Sequence, residues 1–148
     1  MPDFTVTLAW DEAKQGRLAA EANPPLPVAT PPVFGGPSGV WSAEDLFVGS
    51  VAGCLMSTFL YFAERLDVPL AAYTSRATGR MEKTRDGLRF TSMDVTIEAT
   101  AADEAARRRA ADLRFKEKLE AYCPVSTALA CPVRITLNLY AGTGPAAE

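Results

Sequence analysis

The 18 residues from Leu46 to Ala63 carry no charge, and that run decides more about the fold than any other part of the sequence. Its length is at the lower limit for a membrane span, and Gly49-x-x-x-Gly53 is a spacing found where membrane helices pack. Ser50, Ser57, Thr58 and Tyr61 interrupt its apolar character, however, and no other segment of the sequence could span. The run therefore reads as the central helix of a soluble core, apolar on every side, and no membrane partner is expected. Ser42 supplies an N-cap, with Asp45 at the capping-box position, and Asp67-Val68-Pro69 ends the helix near Leu66. Such a helix is roughly 37 Å long. That exceeds what a small domain needs, which predicts burial by a sheet on one side and by a partner subunit on another.

Around this helix the pattern is one of strands. Phe4, Val6 and Leu8 alternate in a first strand ending at Trp10. Asp11–Gly16 reads as a turn and Arg17–Glu21 as the returning strand of a hairpin. Between residues 23 and 39, Pro24, Pro25, Pro27, Pro31, Pro32 and Pro37 exclude a helix and confine any strand to a sheet edge. This proline-rich arm is an irregular segment of a length that often carries function. Ala71–Met81 and Arg89–Glu98 read as strands joined through Arg85-Asp86-Gly87. On the second of these, Thr91, Met93, Val95 and Ile97 form the face expected to meet the core, with Phe90, Ser92, Asp94 and Thr96 opposite. Asp103–Ala121 reads as one helix with a thin apolar stripe of Ala106, Ala110, Leu113 and Leu119. Pro124 opens a short helix to Ala130, and Val133, Ile135 and Leu137 alternate in a closing strand. Residues 142–148 read as a flexible tail. This order predicts a single α+β domain over residues 1–148 with antiparallel sheet, not a doubly wound nucleotide-binding fold.

What is missing limits the chemistry. The chain has no histidine, which removes Ser-His-Asp triads, Cys-His pairs and histidine metal sites. The net charge is −3, and the one basic run, Arg107 to Arg109, sits in a helical pattern beside Asp103 and Glu104. No nucleic-acid partner is expected, since that would want a broader basic surface. No phosphate loop or dinucleotide fingerprint is present, and no cofactor is expected.

The cysteines remain: Cys54, Cys123 and Cys131. An odd number does not suit an extracellular disulfide scaffold, and Met1-Pro2-Asp3-Phe4 does not open like a signal peptide, so a cytoplasmic protein is expected. Cys54, in mid-helix, reads either as packing or, beside Gly49 and Gly53, as a thiol with room for a ligand. Cys123 precedes a helix-opening proline. Unpaired N–H groups there favour thiolate, although an unreactive capping position reads equally well. Cys131 reads as structural or as an auxiliary thiol. A zinc site would need a fourth ligand and a tight Cys-x-x-Cys pair. Cys54 and Cys123 lie too far apart in sequence for spacing alone to pair them.

The segments Pro31-Pro32-Val33-Phe34-Gly35-Gly36, Trp41-Ser42-Ala43-Glu44-Asp45-Leu46 and Ala52-Gly53-Cys54-Leu55, followed by Tyr122-Cys123-Pro124-Val125-Ser126, resemble the OsmC/Ohr superfamily. These are the osmotically inducible protein C and organic hydroperoxide resistance proteins, and the similarity runs from about Phe4 to Leu139. The resemblance implies antiparallel sheets wrapped around a long central helix in an intertwined homodimer, with the proline-rich arm covering the site or the partner. It also implies a cysteine-based peroxidase that reduces a small organic hydroperoxide. Cys54 matches the attacking cysteine and Cys123 the resolving one, with a Cys54–Cys123 disulfide reset by an external dithiol such as a lipoyl protein. Glu44 matches a glutamate that holds an arginine beside the thiolate, and Arg17 matches that arginine. The Phe-Gly-Gly and Trp-Ser-Ala-Glu wording departs from the Asn-Pro-Glu version of the hydroperoxide resistance proteins and points to another, OsmC-like branch. The same scaffold would suit a redox sensor, with a reactive Cys54 but no turnover. It would also suit a binding protein for a small apolar ligand, indifferent to Cys54→Ser.

Overall fold

The computed structural model describes residues 1–142; of the expected tail, residues 143–148 lie outside the described residues. The chain divides into two compact units, residues 1–47 and residues 48 onward.

The first unit is a three-stranded antiparallel sheet of β1 (Thr7–Glu12), β2 (Gln15–Ala19) and β3 (Leu26–Ala29), in that order. The expected hairpin joins β1 to β2, and it turns through Ala13 and Lys14. Gly16 is required there, because a Cβ at that position would stand 2.6 Å from the Ala9 carbonyl oxygen. The proline-rich arm is less irregular than its sequence suggests, since it contains β3 and a 3-10 turn at Pro32–Phe34. β3 is an edge strand, as the prolines require: Pro27 pairs opposite Arg17 without interrupting an interior ladder.

Helix α1 (Ala43–Arg65) has nearly the expected bounds. Its start is a reciprocal capping box built with aspartate. The Ser42 hydroxyl accepts from the Asp45 N–H at 3.0 Å, and the Asp45 carboxylate accepts from the Ser42 N–H at 3.0 Å and from its hydroxyl at 2.9 Å. Among the described residues it is the one helix long and apolar enough to cross a membrane.

In the second unit, Val51, Leu55, Phe59 and Ala63 recur every fourth residue and bury one face of α1. They face a mixed sheet of β4 (Leu70–Thr84), β5 (Gly87–Ala101) and β6 (Val133–Ala141). β4 and β5 form the expected hairpin, turning through Arg85 and Asp86 into Gly87 at φ +102°. Met93, Val95 and Ile97 are buried, as their alternation predicted.

Three expectations need correction. The sheet is not wholly antiparallel, because β5 and β6 run parallel from Met93↔Val133 to Ala101↔Ala141. The helices between them form the crossover that parallel neighbours require. Phe90 does not stay with the outer face. The pairing passes from Arg80↔Ser92 to Met81↔Phe90, leaving Thr91 as an extra residue that reverses the alternation. A Cβ on Gly79 would consequently lie 2.9 Å from the Phe90 ring and 2.8 Å from Val48. Finally, Asp103–Ala121 is two helices, α2 (Glu104–Asp112) and α3 (Phe115–Tyr122), broken at Arg114 with φ +57°. The break re-aims the apolar stripe, burying Ala106 and Ala110 before it and Phe115 and Leu119 after it. The short helix α4 (Pro124–Ala128) leads on toward β6.

Candidate functional site

Cys54 lies in mid-α1, and Cys123 stands at the junction where α3 ends and α4 begins. The crossover between β5 and β6 carries Cys123 back over the helix. There the two thiols meet, each acting on the other's ionisation. Both are free cysteines. Cys123 is fully buried, while Cys54 keeps partial access to solvent.

The short helix organises the pair. Pro124 at its first position gives up no N–H that the helix needs. The Val125 N–H points at both sulfurs and the Ser126 N–H at that of Cys123. The Cys123 carbonyl, in turn, accepts from the Thr127 N–H at 3.1 Å and the Thr127 hydroxyl at 2.9 Å. On α1, the Thr58 hydroxyl donates to the Cys54 carbonyl at 2.9 Å and lies beside its sulfur.

These surroundings treat the two thiols differently. Burial pushes the Cys54 thiol up, and the neighbouring Cys123 adds to the rise, against smaller opposing contributions from the Val125 N–H and Thr58. Burial also opposes ionisation of Cys123. Hydrogen bonds from the Ser126 side chain, the Cys54 thiol and the N–H groups of Ser126 and Val125 outweigh it, so Cys123 falls below the ordinary thiol value. Within this unit Cys123 is therefore the more readily ionised of the two thiols.

Arg17 and Glu44 belong to the first unit, and there they are not paired. The Arg17 guanidinium bonds the Asp11 carboxylate at 3.4 Å on an exposed surface. Glu44, in the first turn of α1, has its Oε2 buried with no hydrogen-bond partner among the described residues. It lines a cavity of about 510 Å³ with Lys14, Gly16, Trp10 and Phe34. Lys14 donates to the Phe34 carbonyl at 3.0 Å. The salt bridge implied between Arg17 and Glu44 is therefore absent here, and an orphaned carboxylate oxygen stands in its place.

The family model for OsmC-like proteins matches residues 36–138, a span that holds both cysteines. The chain belongs to the OsmC-like protein family. No curated protein matches it. Among solved structures, an OsmC-like protein of unknown function from Vibrio cholerae superposes with a TM-score of 0.85 at 13% identity, covering 93% of this chain and all of the other. An organic hydroperoxide resistance protein from Legionella pneumophila gives 0.72 at 18% identity, covering 95% and 98%. Another such protein, from Elizabethkingia anophelis, gives 0.70 at 17%, covering 95% and 97%. At these identities the likeness is one of fold.

Three polar neighbours of the thiol pair have no role assigned from the sequence. Thr58 stands four residues after Cys54, on the same helical face, and Ser126 stands three after Cys123 in the first turn of α4. Helical spacing could have found both. Tyr73, on β4, has its hydroxyl buried without a hydrogen-bond partner among the described residues, and burial first, then Cys123, push its phenol well above the ordinary range. Nothing in its sequence context distinguishes it from an ordinary strand tyrosine.

Proposed function

We propose that the chain is a cysteine-based peroxidase that reduces organic hydroperoxides to alcohols. The observation that carries this reading is the meeting of two free thiols from distant parts of the sequence, Cys54 and Cys123, over the N–H groups of α4. Such a pair can be oxidised and closed into a disulfide without large rearrangement.

The Cys54 thiolate attacks the outer oxygen of the hydroperoxide. The O–O bond breaks, alkoxide leaves and takes up a proton to give the alcohol, and Cys54 becomes a sulfenic acid. Partial access to solvent favours Cys54 over the buried Cys123 for this step. Cys123, already the more acidic thiol, then attacks the Cys54 sulfur as thiolate. The S–O bond breaks, hydroxide leaves as water after protonation, and the disulfide closes. An external dithiol, such as that of a lipoyl protein in the cytoplasm, reduces it by thiol exchange. Arg17, whose guanidinium bonds Asp11 rather than Glu44 in this chain, is the cation proposed to favour the Cys54 thiolate.

A second copy completes the assembly. Along α1, Gly49, Gly53, Met56 and Leu60 form an exposed, largely apolar stripe opposite the buried face, with open space where a glycine Cβ would stand. In the first unit, Phe4, Val6, Leu8 and Trp10 are all exposed. Faces of this kind suit an intertwined homodimer.

The test is consumption of cumene hydroperoxide and hydrogen peroxide side by side, with excess dithiol. Turnover preferring the organic substrate and lost in Cys54→Ser supports the proposal. Turnover retained in Cys54→Ser, or none in the folded, reduced protein, overturns it.

A further inference from the structure

Glu44 has a buried carboxylate oxygen without a partner among the described residues, and the cation that the family resemblance matches to it, Arg17, does not face it. In a pleated sheet, residues opposite one another across the strands project on the same side. Trp10, Gly16 and Val28 stand opposite one another, and they line the cavity of about 510 Å³ together with Leu8 and Glu44. Ala9, Arg17 and Pro27 form the next row and project from the other side, where the Arg17 guanidinium bonds Asp11. To face Glu44, Arg17 would need β2 to slip by one residue, which would turn every side chain of the strand over.

Lys14 is placed differently. It sits in the turn before β2 and lines the cavity with Glu44, and among the described residues lining it these two alone carry charge. Its ammonium donates to the Phe34 carbonyl at 3.0 Å and has two more protons to give. Gly35, at φ +86°, makes room for it, since a Cβ there would stand 2.8 Å from Nζ. The Lys14 carbonyl accepts from the Thr30 N–H at 3.0 Å, so Lys14 is bound to the proline-rich arm at two points. The approach to α1 is tied to the same sheet, because the Ala29 N–H donates to the Trp41 carbonyl at 2.9 Å. Lysine and glutamate thus share one cavity from two anchored backbones and make no ion pair in this structure.

A buried carboxylate oxygen left unpaired is costly, and a flexible ammonium lining the same cavity is the group that can relieve it. We infer that Lys14 is the cation that Glu44 holds: the ammonium, tied to the Phe34 carbonyl, turns to Glu44 and closes an ion pair that pins the proline-rich arm to the first turn of α1. Arg17 keeps Asp11 on the opposite face. The ion pair itself does not depend on any activity. Its bearing on turnover rests on the peroxidase reading, in which Glu44 is the residue that holds a cation; there Lys14 is a positioning residue, acting through Glu44 and the arm.

The experiment titrates the full-length chain by NMR of labelled glutamate carboxyls, with the Glu44 signal assigned from Glu44→Gln. Losing an adjacent cation makes a carboxylate harder to form, so the Glu44 midpoint should rise by about one pH unit in Lys14→Met, a roughly tenfold change in proton affinity. It should return to the native value in Lys14→Arg and stay there in Arg17→Ala. An unmoved midpoint in Lys14→Met overturns the inference, as does a rise of equal size in Arg17→Ala. Should Lys14→Met not fold, Lys14→Gln can keep the bond to Phe34 without the charge. It should raise the midpoint likewise, and an unmoved midpoint again overturns the inference.

A second measurement separates the ion pair from the reading beneath its role. Turnover of cumene hydroperoxide should fall roughly tenfold in Lys14→Met and recover in Lys14→Arg. Native turnover in Lys14→Met refutes the positioning role. If native protein shows no turnover, the peroxidase reading fails, while the titration still decides whether Glu44 holds Lys14.

Discussion

Phe59 joins the site to the core, and its replacement tests how the second unit holds its thiols. The side chain is fully buried, and its ring stands edge-on to Tyr73 at 5.3 Å and to Phe115 at 5.2 Å. Phe59→Ala removes the ring and leaves a cavity, at a cost of about 3–5 kcal/mol. Phe59→Leu keeps most of the apolar burial and loses the two edge contacts, each worth about 0.5–1.5 kcal/mol, for a total of about 1–3 kcal/mol. Against a typical domain stability of about 5–15 kcal/mol, the alanine change removes a large share and the leucine change a tolerable one. Urea unfolding at a single fixed protein concentration measures both, since any association would shift the midpoint. The midpoint should fall for both variants with little change in slope. An alanine cost under about 1 kcal/mol, or equal costs for alanine and leucine, would refute the view that these ring contacts brace Tyr73 and the thiol junction.

Other expectations concern the thiols and the helix that carries one of them. In Arg17→Ala the pair is left to the electrostatics of the second unit. Cys123 should ionise first as pH rises and Cys54 last, with peroxide consumption falling at least roughly tenfold; a Cys54 titration identical to that of the native protein excludes Arg17 as its partner. Cys123→Ser removes the second of the two influences that raise Cys54 and leaves burial, the larger one, in place. Its titration should move down without reaching that of a free thiol, and dimedone should trap a sulfenic acid that no disulfide resolves; mass spectrometry showing a Cys54–Cys131 disulfide instead would reassign the resolving thiol. Ser42→Ala removes the hydroxyl arm of the capping box and should cost about 1–2 kcal/mol by thermal melting, given that Ser42 is buried; an unchanged melting temperature would show that the backbone bond to Asp45 suffices.

The parts of this fold that were legible in the sequence are those where local chemistry decides. Ser42 with Asp45, and Asp67 before Pro69, bound α1 almost to the residue. Asp86-Gly87 fixed the hairpin, and alternation placed Met93, Val95 and Ile97 in the core. Where tertiary demands override local ones, the reading failed. Leu113-Arg114-Phe115 contains neither glycine nor proline, yet Arg114 adopts a left-handed conformation so that Phe115 and Leu119 reach the core. Phe90 crosses to the Gly79 side because Thr91 is bulged out, and a bulge leaves no mark on a pattern of alternating residues. The parallel pairing of β5 with β6 depends on how the crossover returns, which neither strand encodes. The same holds for the site: motifs named the two cysteines, but their meeting comes from a crossover that only the folded chain displays.

The parallel ladder also governs when the thiols can meet. Cys54 sits on a helix whose backbone hydrogen bonds are local, whereas Cys123 rides on residues 102–132, a segment anchored at one end by β5 and at the other by β6. The Met93 N–H bonds the Pro132 carbonyl at 3.0 Å, and the Gly142 N–H bonds the Ala101 carbonyl at 2.9 Å, so both ends of the ladder are tied. Pairing of strands so distant in sequence is a slow event, because loop-closure entropy is spent before any contact repays it. The meeting of Cys123 with Cys54 therefore depends on the docking of the last strand as much as on the helix that carries Cys54.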